Sequence, residues 1–435
     1  MKSLLKTVGV LFILGLFGIP VVFLVLLSLL KAVFSREKNK KRSGRTVLLT
    51  GGKMTKCLQL ARMFHDSGDR VIVAETSLYK WCGTRFSNAV DQFIIIPEIE
   101  GDGQSYQRAL IDIAKREQVD LFVPVASPKS AVYDANAKPD FPDHTEVFHF
   151  DADIVKRLDD KHQFIELSRS FGLSTPESFH IDSHESLLSH QFNPTKKYIL
   201  KKIDYDPVYR MDLRTLPHNG WEDRVRSLPI SAQEPWVLQE FIEGKEVCTH
   251  TTTRNGNLNL YICSNSSPFQ VNYEMLDLPN VKEWVRSFVA KLGGTGQISF
   301  DFIITKDHRV MPIECNPRTH SAITLFHNQL DAVSAYYTSA NASQRFIPNK
   351  RAGHTFWFYH ELYRLVTSKS RKQFLVLWNR MVTGKEAVFE WNDPLPFLFN
   401  NHVSIPYQII KRSLKNVAWE KIDFNIGKLI YQGGD

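Results

Sequence analysis

Hydrophobic residues follow two different patterns along this chain of 435 residues. Val8 to Leu30 is a single apolar run, broken only by glycine, Pro20 and Ser28, whereas beyond Arg45 the apolar positions are short and periodic. The run is 23 residues long, and a helix needs about 20 residues to span a bilayer. The pattern therefore predicts an N-terminal membrane helix, through residues 8–30, followed by a globular body.

The excess of positive charge lies beside this apolar run. The formal net charge is +8, and residues 1–45 hold nine Lys and Arg against one acid, Glu37, so the rest of the chain is neutral overall. Because positive flanks favour the cytoplasmic side, we expect a membrane-anchored protein with its body in the cytoplasm. The same location argues against a nucleic-acid partner. A cleaved signal peptide is the alternative, and Pro20 leaves a re-entrant insertion open.

Helices and strands alternate at the start of the body, which predicts a parallel sheet with helical crossovers. The predicted strands are Thr46–Thr50, Arg70–Ala74, Phe93–Ile96 and Leu121–Val125. Gly51-Gly52 after the first strand superficially suggests a dinucleotide fold, but the fingerprint GxGxxG is absent. The five cysteines contain no CxxC pair, so they indicate neither a zinc site nor a disulfide framework.

The middle of the chain carries both helical and strand patterns, and Asn255-Gly256 between two of the strands is a strong hairpin signal. The predicted elements are helices at Ile154–Leu158, Lys161–Phe171 and Val281–Leu292, and strands at Tyr198–Lys201, Trp236–Ile242, Cys248–Arg254 and Asn257–Cys263. The aromatic-rich stretch His354–Leu365 is predicted to be helical. No chemistry is assigned beyond Leu330.

Two alternating segments, Gln297–Ile304 and Met311–Asn316, carry the candidate chemistry. A two-residue turn at Asp307-His308 would pair the strands in one register. The resulting pairs are Ile304 with Met311, Phe302 with Ile313, Phe300 with Cys315, Asp301 with Glu314, and Ser299 with Asn316. Two carboxylates directly opposite each other repel unless a cation lies between them. Hard oxygen donors suit Mg²⁺, although either acid alone would be read as a solvated residue on an exposed hairpin.

Asp301 together with Glu314-Cys315-Asn316-Pro317-Arg318 resembles the metal-binding motif of the ATP-grasp ligases, which use ATP and Mg²⁺ to activate a carboxylate-like group for attack by an amine. Longer stretches resemble one branch of these enzymes, the mycosporine-glycine synthetases of mycosporine-like amino acid biosynthesis. These stretches are Gly51–Lys56, Phe148–Asp153, Cys263–Ser267, Asn316–Ala322 and Lys421–Leu429. The resemblance runs from about Arg45 to the C-terminus.

The resemblance implies an α/β ATP-grasp fold with an N-terminal parallel-sheet pre-ATP-grasp domain, here preceded by the transmembrane helix. The implied organisation is a membrane anchor with its basic flank at 1–45, the pre-ATP-grasp domain at 46–150, the ATP-grasp domain at 151–330 and a family-specific region at 331–435. Within the ATP-grasp domain, the small lobe would occupy about 175–240 and the large lobe about 241–330.

The resemblance also implies a set of site residues. ATP would be bound by Lys161, Lys201, Gln239, backbone groups near Glu240 and Ile242, and Glu246 on the ribose. The metal ligands would be Asp301, Glu314 and Asn316, holding Mg²⁺ or alternatively Mn²⁺, and Arg318 would act with Lys201 on the transferring phosphoryl group. His320 and Ser321 would contact the substrate.

One departure from the family pattern concerns the phosphate loop. The family places a glycine-rich loop after the lysine that corresponds to Lys201, but residues 202–210 contain no glycine. Lys202 or Arg210 is expected to replace the loop's backbone groups by charge.

The implied reaction condenses glycine with the cyclic enol 4-deoxygadusol through a phosphorylated enol, giving mycosporine-glycine, ADP and phosphate. A carboxylate–amine ligase that makes a peptide-like bond is one alternative. A membrane-tethered nucleotide-binding protein without turnover is the other, and the missing glycine loop is the feature that favours it. Because every quoted motif lies beyond Arg45 and that region is neutral overall, removal of residues 1–42 is expected to leave a soluble, active enzyme.

Overall fold

The computed structural model describes residues 2–34, 42–100, 102–125, 127–204, 206, 209, 212–266, 272–337, 345–415 and 417–431. The N-terminal apolar run forms one helix, α1 (Lys2–Phe34), as predicted. Its segment Leu5–Lys31 has the length and the apolar composition to cross a membrane.

A five-stranded parallel sheet follows α1, and its strands are ordered β3-β2-β1-β4-β5. Its elements are β1 (Thr46–Thr50), α2 (Thr55–Asp66), β2 (Arg70–Thr76), β3 (Gln92–Ile96), α3 (Gly103–Glu117), β4 (Leu121–Val123), α4 (Pro128–Ala137) and β5 (Glu146–Val147). Every residue of β1 is buried, because helices cover both faces of a parallel sheet. The predicted β-α-β opening is confirmed.

A small antiparallel sheet comes next, with the strand order β6-β9-β7-β8. The elements of this part of the chain, which include the four strands of the sheet, are α5 (Ala152–Asp159), α6 (Lys161–Ser170), β6 (Ser178–Ile181), α7 (His184–Leu188), β7 (Tyr198–Lys202), β8 (Thr215–Leu216), α8 (Trp221–Arg226) and β9 (Trp236–Glu240). Trp236, Tyr198 and Leu238 belong to its own hydrophobic core, separate from that of the parallel sheet. The predicted strands at Tyr198 and Trp236 are confirmed.

A second antiparallel sheet has the strand order β11-β10-β13-β14. Its elements, together with an intervening short strand, are β10 (Lys245–Arg254), β11 (Asn257–Asn265), β12 (Asn272–Glu274), α9 (Pro279–Leu292), β13 (Gly296–Ile304) and β14 (Val310–Asn316). Positive φ angles at Asn255 and Gly256 make the tight turn of the predicted hairpin. Helix α9 packs Trp284 against Phe302, with ring centroids 4.9 Å apart.

The C-terminal region mixes short helices and strands. They are β15 (His354–Phe356), α10 (Phe358–Val366), α11 (Arg371–Thr383), β16 (Lys385–Glu386), α12 (Leu395–Phe399), α13 (Ile405–Ser413), β17 (Trp419–Asp423) and β18 (Lys428–Tyr431). The helix predicted from His354 is wrong over its first three residues, which form β15 and pair with β12. That partner strand is about 80 residues away in the sequence, so local spacing could not reveal it.

Helix α1 lies along this C-terminal region. Leu14, Val21 and Val25 are buried within the same hydrophobic core as residues of the body. A hydrogen bond joins α1 to the body near each end of the helix: Trp419 Nε1 donates to Thr7 Oγ1 at 3.1 Å, and Ser28 Oγ donates to the carbonyl oxygen of Trp391. One side of α1 therefore packs against an apolar surface of the body.

Candidate functional site

The predicted opposition of two carboxylates is present at the carboxyl end of β14. Asp301 pairs with Glu314 across β13 and β14, and Ser299 pairs with Asn316 one step further along the strands. Side chains that face each other on neighbouring strands project from the same side of a sheet. The acids and the amide of Asn316 therefore share one face.

The register nearer the turn differs from the prediction. Phe302 lies opposite Pro312 rather than Ile313, because one extra residue on β14 forms a bulge. The connection is a five-residue loop rather than a two-residue turn: the His308 N–H donates to the Thr305 carbonyl at 3.0 Å, and His308 has φ of 62°. Strict alternation in the sequence does not report such an insertion.

A third carboxylate joins the pair. Cys248 of β10 lies opposite Asp301, which places Glu246, two residues earlier, on the same sheet face. Burial raises the pKa of Asp301 well above its ordinary value, and the charges of Glu314 and Glu246 raise it further. A cation between these acids would remove that penalty.

Lys201 reaches the same place from the small sheet. Its Nζ donates to Oε1 of Gln239 at 2.9 Å. Burial lowers the pKa of Lys201 to about 8, while the charges of Glu314, Asp301 and Glu246 oppose that shift. The lysine thus lies within electrostatic reach of the acids on the other sheet, and the two sheets enclose the site between them.

Arg318 is the second cation of the site. Its Nη1 donates to Oδ1 of Asp159 at 3.2 Å, and its Nη2 donates to Oδ1 of Asn316. The amide of Asn316 in turn donates from Nδ2 to Asp301 at 3.5 Å. Asp159 was not identified from the sequence, because it ends a helix that lies far from Arg318 along the chain.

Lys161 and Lys202 both make internal contacts. Lys161 Nζ donates to the carbonyl oxygen of Ile203 at 2.8 Å, at the end of β7. Lys202 is paired with Glu234 at 2.9 Å and with Asp206 at 3.2 Å, so its charge is already balanced within the small sheet. Arg210, the other candidate for replacing the glycine loop, lies outside the described residues.

The segment between the two sheets contains the residues expected near adenine and ribose. The carboxylate of Glu240 accepts the Glu177 N–H at 3.0 Å and pairs with Lys196 at 3.2 Å. Ile242 lies in the short connection between β9 and β10. Glu246 accepts a hydrogen bond from Ser266 Oγ at 2.8 Å. The side chain of Glu240 is thus engaged within the protein, and its backbone N–H also donates to the Glu177 carbonyl at 2.9 Å.

His320 and Ser321 lie in a buried polar cluster beyond Arg318. The backbone N–H of His320 donates to Nδ1 of His250 at 3.4 Å. The rings of His320 and Tyr273 meet edge to face, with their centroids 5.2 Å apart. Burial lowers the pKa of His320 to about 3, so its ring is neutral. Tyr273 also contacts Ser321 through its hydroxyl.

Lys56 joins this cluster from the parallel sheet's helix α2. Its Nζ donates to the carbonyl oxygen of Thr319 at 2.6 Å, and burial, followed by the charge of Arg318, lowers its pKa to about 7. The sequence contained a signal for Lys56, because it ends the Gly51–Lys56 stretch that carries part of the resemblance. Sequence reasoning nevertheless assigned it no role.

The donor set suits a hard cation that shares its coordination with a phosphate. Within the described ranges, no group of three or more His, Cys, Asp or Glu is arranged to hold a metal by itself. Two carboxylates and the amide of Asn316 leave coordination positions for water and substrate oxygens, which is how Mg²⁺ is usually bound. With Lys201 and Arg318 nearby, the arrangement can stabilise a transferring phosphoryl group.

No family model and no curated protein matches this chain. Solved structures do resemble it. N5-carboxyaminoimidazole synthetase from Staphylococcus aureus is 15% identical with a TM-score of 0.52, over 69% of this chain and 80% of that one. Biotin carboxylase from Campylobacter jejuni is 13% identical with a TM-score of 0.51, over 68% and 72%.

A third similar structure is the biotin carboxylase domain of the Hydrogenobacter thermophilus 2-oxoglutarate carboxylase, solved with MgADP and bicarbonate. It is 13% identical with a TM-score of 0.51, over 72% of each chain. Identities this low identify the fold alone. The chain has the α/β ATP-grasp fold with a parallel-sheet domain, as the sequence predicted.

Proposed function

Starting from the ATP-grasp fold, we propose that this protein is an ATP- and Mg²⁺-dependent ligase that joins a carboxylate-like acceptor to an amine. The observation that carries the proposal is the convergence of Asp301, Glu314 and Asn316 with Lys201 and Arg318 between two sheets. Nucleotide complexes of two fold neighbours support ATP as a substrate, since one was solved with ADP and another with MgADP.

In this proposal ATP lies between the small sheet and the acidic sheet. Lys201 binds the phosphates as a point charge, and Lys161 assists from the start of α6. Gln239 and the backbone of Glu240 and Ile242 bind the adenine edge, and Glu246 binds the ribose hydroxyls. Glu246 also raises the pKa of Asp301, so it lies close enough to the acidic pair to influence the metal site as well.

Asp301, Glu314 and Asn316 would hold Mg²⁺, with Mn²⁺ as an alternative. When bound, the metal supplies positive charge that neutralises phosphate oxygens. The chain's own contribution is to orient those oxygens. Arg318, fixed by Asp159 and Asn316, presents a planar pair of donors to the phosphoryl group.

The proposed reaction has two steps. An acceptor oxygen attacks the γ-phosphorus of ATP, the bond to the β-phosphate oxygen breaks, and ADP leaves. The amine then adds to the carbon that bears the new phosphate, loses a proton, and expels inorganic phosphate with both electrons of the carbon–oxygen bond. Lys201 and Arg318 stabilise charge in the first step, and Arg318 stabilises the adduct oxygen in the second.

The substrates that we propose are 4-deoxygadusol and glycine, with mycosporine-glycine as the product. The support is the sequence resemblance of the five stretches described above. An enolised cyclic diketone is a vinylogous carboxylic acid, so the same phosphorylation chemistry applies. His320 and Ser321 would contact this acceptor, and α1 would hold the body at the cytoplasmic face of a membrane.

Product analysis tests both levels of the proposal. With the acceptor, glycine, ATP and Mg²⁺, we expect mycosporine-glycine, ADP and phosphate, and oxygen-18 in the enol should appear in the phosphate. ADP formation with another carboxylate and amine, but not with this pair, would support the peptide-bond-forming ligase instead. ATP binding without acceptor-dependent ADP formation would favour a nucleotide-binding protein without turnover, and AMP as product would exclude the mechanism.

A further inference from the structure

Exposed apolar side chains on the body are concentrated in one part of the chain. Among the described residues beyond α1, eleven of the thirteen exposed large hydrophobic side chains lie between Tyr363 and Val417. The other two are Ile95 and Leu213. Scattered single residues are ordinary on soluble proteins, but five of these eleven lie on one helix, α11.

Helix α11 shows the pattern most clearly. Of its thirteen residues only Leu377 is buried, so the helix lies on the outside of the body. Phe374, Leu375, Trp378 and Val382 are exposed, and they fall within about 100° of one another around the helix axis. A helix with a narrow apolar face turned to water is typical of segments that lie in a membrane interface.

The charges on α11 favour an anionic partner. Arg371 and Lys372 occupy its first turn. The helix dipole disfavours cations there, so an anionic partner would relieve an unfavourable charge arrangement. Ser370 caps the same end by accepting the Gln373 N–H at 3.2 Å. Residues 358–417 contain nine Lys and Arg against four acids. Two of these acids, Glu361 and Asp393, are buried, so fewer carboxylates face solvent than the count indicates.

The position of α1 connects this surface to lipid. Phe17 of α1 packs edge to face against Phe358 and Tyr359, which begin the helix that leads to α11. The outer side of α1 carries a further row of exposed apolar residues, among them Phe12 and Ile19. The sequence immediately after α1 contains Arg36, Lys38, Lys40 and Lys41.

We propose that the exposed face of α11, with its basic first turn, is a second membrane-binding element that rests on an anionic lipid surface beside α1. The enzyme body is then held against the bilayer at two places rather than tethered by a free helix. A second copy of this chain is the competing occupant of the same face. The inference does not depend on the proposed reaction, because its test measures lipid contact and not turnover.

Site-directed spin labels on the full-length protein test this arrangement. All five native cysteines are buried, so Leu375→Cys and Val382→Cys can each be labelled selectively. Val376→Cys is a matched control, because Val376 is similarly exposed at 51% against 52% for Leu375 but lies about 145° away from the centre of the apolar face.

We expect the labels at 375 and 382 to become accessible to oxygen dissolved in lipid, and protected from an aqueous nickel chelate, when the protein is reconstituted into vesicles of phosphatidylcholine and phosphatidylglycerol. The label at 376 should stay in water. Arg371→Gln and Lys372→Gln should each weaken the lipid contact of the 375 label about fivefold, since one basic residue near an anionic surface contributes that much.

Two results would overturn the proposal. One is that the labels at 375 and 382 remain exposed to water although the protein is bound to vesicles through α1. The other is that they become protected without lipid as the protein's mass doubles, which would assign the face to a second copy.

Discussion

The guanidinium of Arg318 is held by Asp159, with Nη1 of the arginine 3.2 Å from Oδ1 of the aspartate. Asp159 is the last residue of α5, and Arg318 follows the end of β14. Burial raises the pKa of Asp159 above its ordinary value, while Arg318 opposes the shift. The ion pair with Arg318 offsets part of the cost of burying the carboxylate, and it fixes the direction of the arginine.

Removing the charge of Asp159 should therefore weaken catalysis more than nucleotide binding. We expect Asp159→Asn to lower kcat by about 10- to 100-fold, the effect of a slightly misplaced catalytic group. The KM for ATP should change much less, because the hydrogen bonds of the ammonium groups of Lys201 and Lys161 go to Gln239 and to the Ile203 carbonyl rather than to Asp159. Steady-state kinetics measure both quantities. Asp153→Asn, an exposed acid on the same helix, is the control, and equal kinetics for the two variants would contradict a positioning role.

Glu314→Gln should abolish ATP turnover while it preserves the fold. The substitution keeps the shape of the side chain but removes one of two carboxylates that lie opposite each other. Relief of that repulsion should raise the unfolding free energy of the nucleotide-free protein by up to about 1 kcal/mol. Denaturant unfolding and an ADP-release assay measure the two effects. Glu274→Gln, at an exposed strand position, should alter neither, and normal turnover in Glu314→Gln would remove Glu314 from the metal site.

The pH dependence of stability should reveal the acidic cluster. The folded-state pKa of Asp301 is raised by burial first, then by Glu314 and Glu246. Its contribution to stability is therefore fully present at low pH and is lost as the pH rises above the ordinary aspartate value of 3.8. We expect the unfolding free energy of the nucleotide-free protein to fall as the pH rises from 3.8 to the raised folded-state pKa of Asp301. The fall should be smaller in Glu314→Gln. Identical pH profiles for the two proteins would show that the acids do not interact.

Lys56 should affect the acceptor rather than ATP. Its Nζ donates to the carbonyl oxygen of Thr319, next to the proposed acceptor-binding residues His320 and Ser321. We expect Lys56→Met to raise the KM for the acceptor about tenfold or more, the loss of one charge-assisted contact, with an unchanged affinity for ADP. Lys115→Met on the surface of α3 is the control. A parallel loss of ADP affinity would place Lys56 in the nucleotide site instead.

Removal of residues 1–42 should preserve the site but reduce solubility. The sequence predicted a body independent of the helix, yet α1 buries Leu14, Val21 and Val25 against it. The shortened protein should bind ADP and aggregate, because it exposes the apolar surface of the body against which α1 packs. Calorimetry and light scattering, with and without detergent, measure these properties. A monodisperse shortened protein in plain buffer would show that this surface closes by itself.

Sequence periodicity predicted the parts of the site that lie on regular strands. The opposition of Asp301 and Glu314 was predicted from alternation together with an assumed two-residue turn, and it is present because the bulge at Ile313 compensates for the longer loop. The ATP-grasp fold followed from the motif around Arg318. The contacts of Asp159 and Lys56 could not be predicted, because each reaches the site from an element that is distant in sequence. The stretch beginning at His354 was misassigned for a related reason: its strand pairs with residues far upstream.

The bulge in β14 has a consequence for protein engineering. Because Ile313 is an extra residue, the side chains of β14 before and after it follow opposite alternation. The buried pair of Phe300 and Cys315 fixes the register of the acidic half through the hydrophobic core. The acidic half is thus independent of the length of the loop at residues 305–309. That loop is a suitable place to insert a peptide tag or a fluorescent reporter, because added residues there would leave Glu314 opposite Asp301.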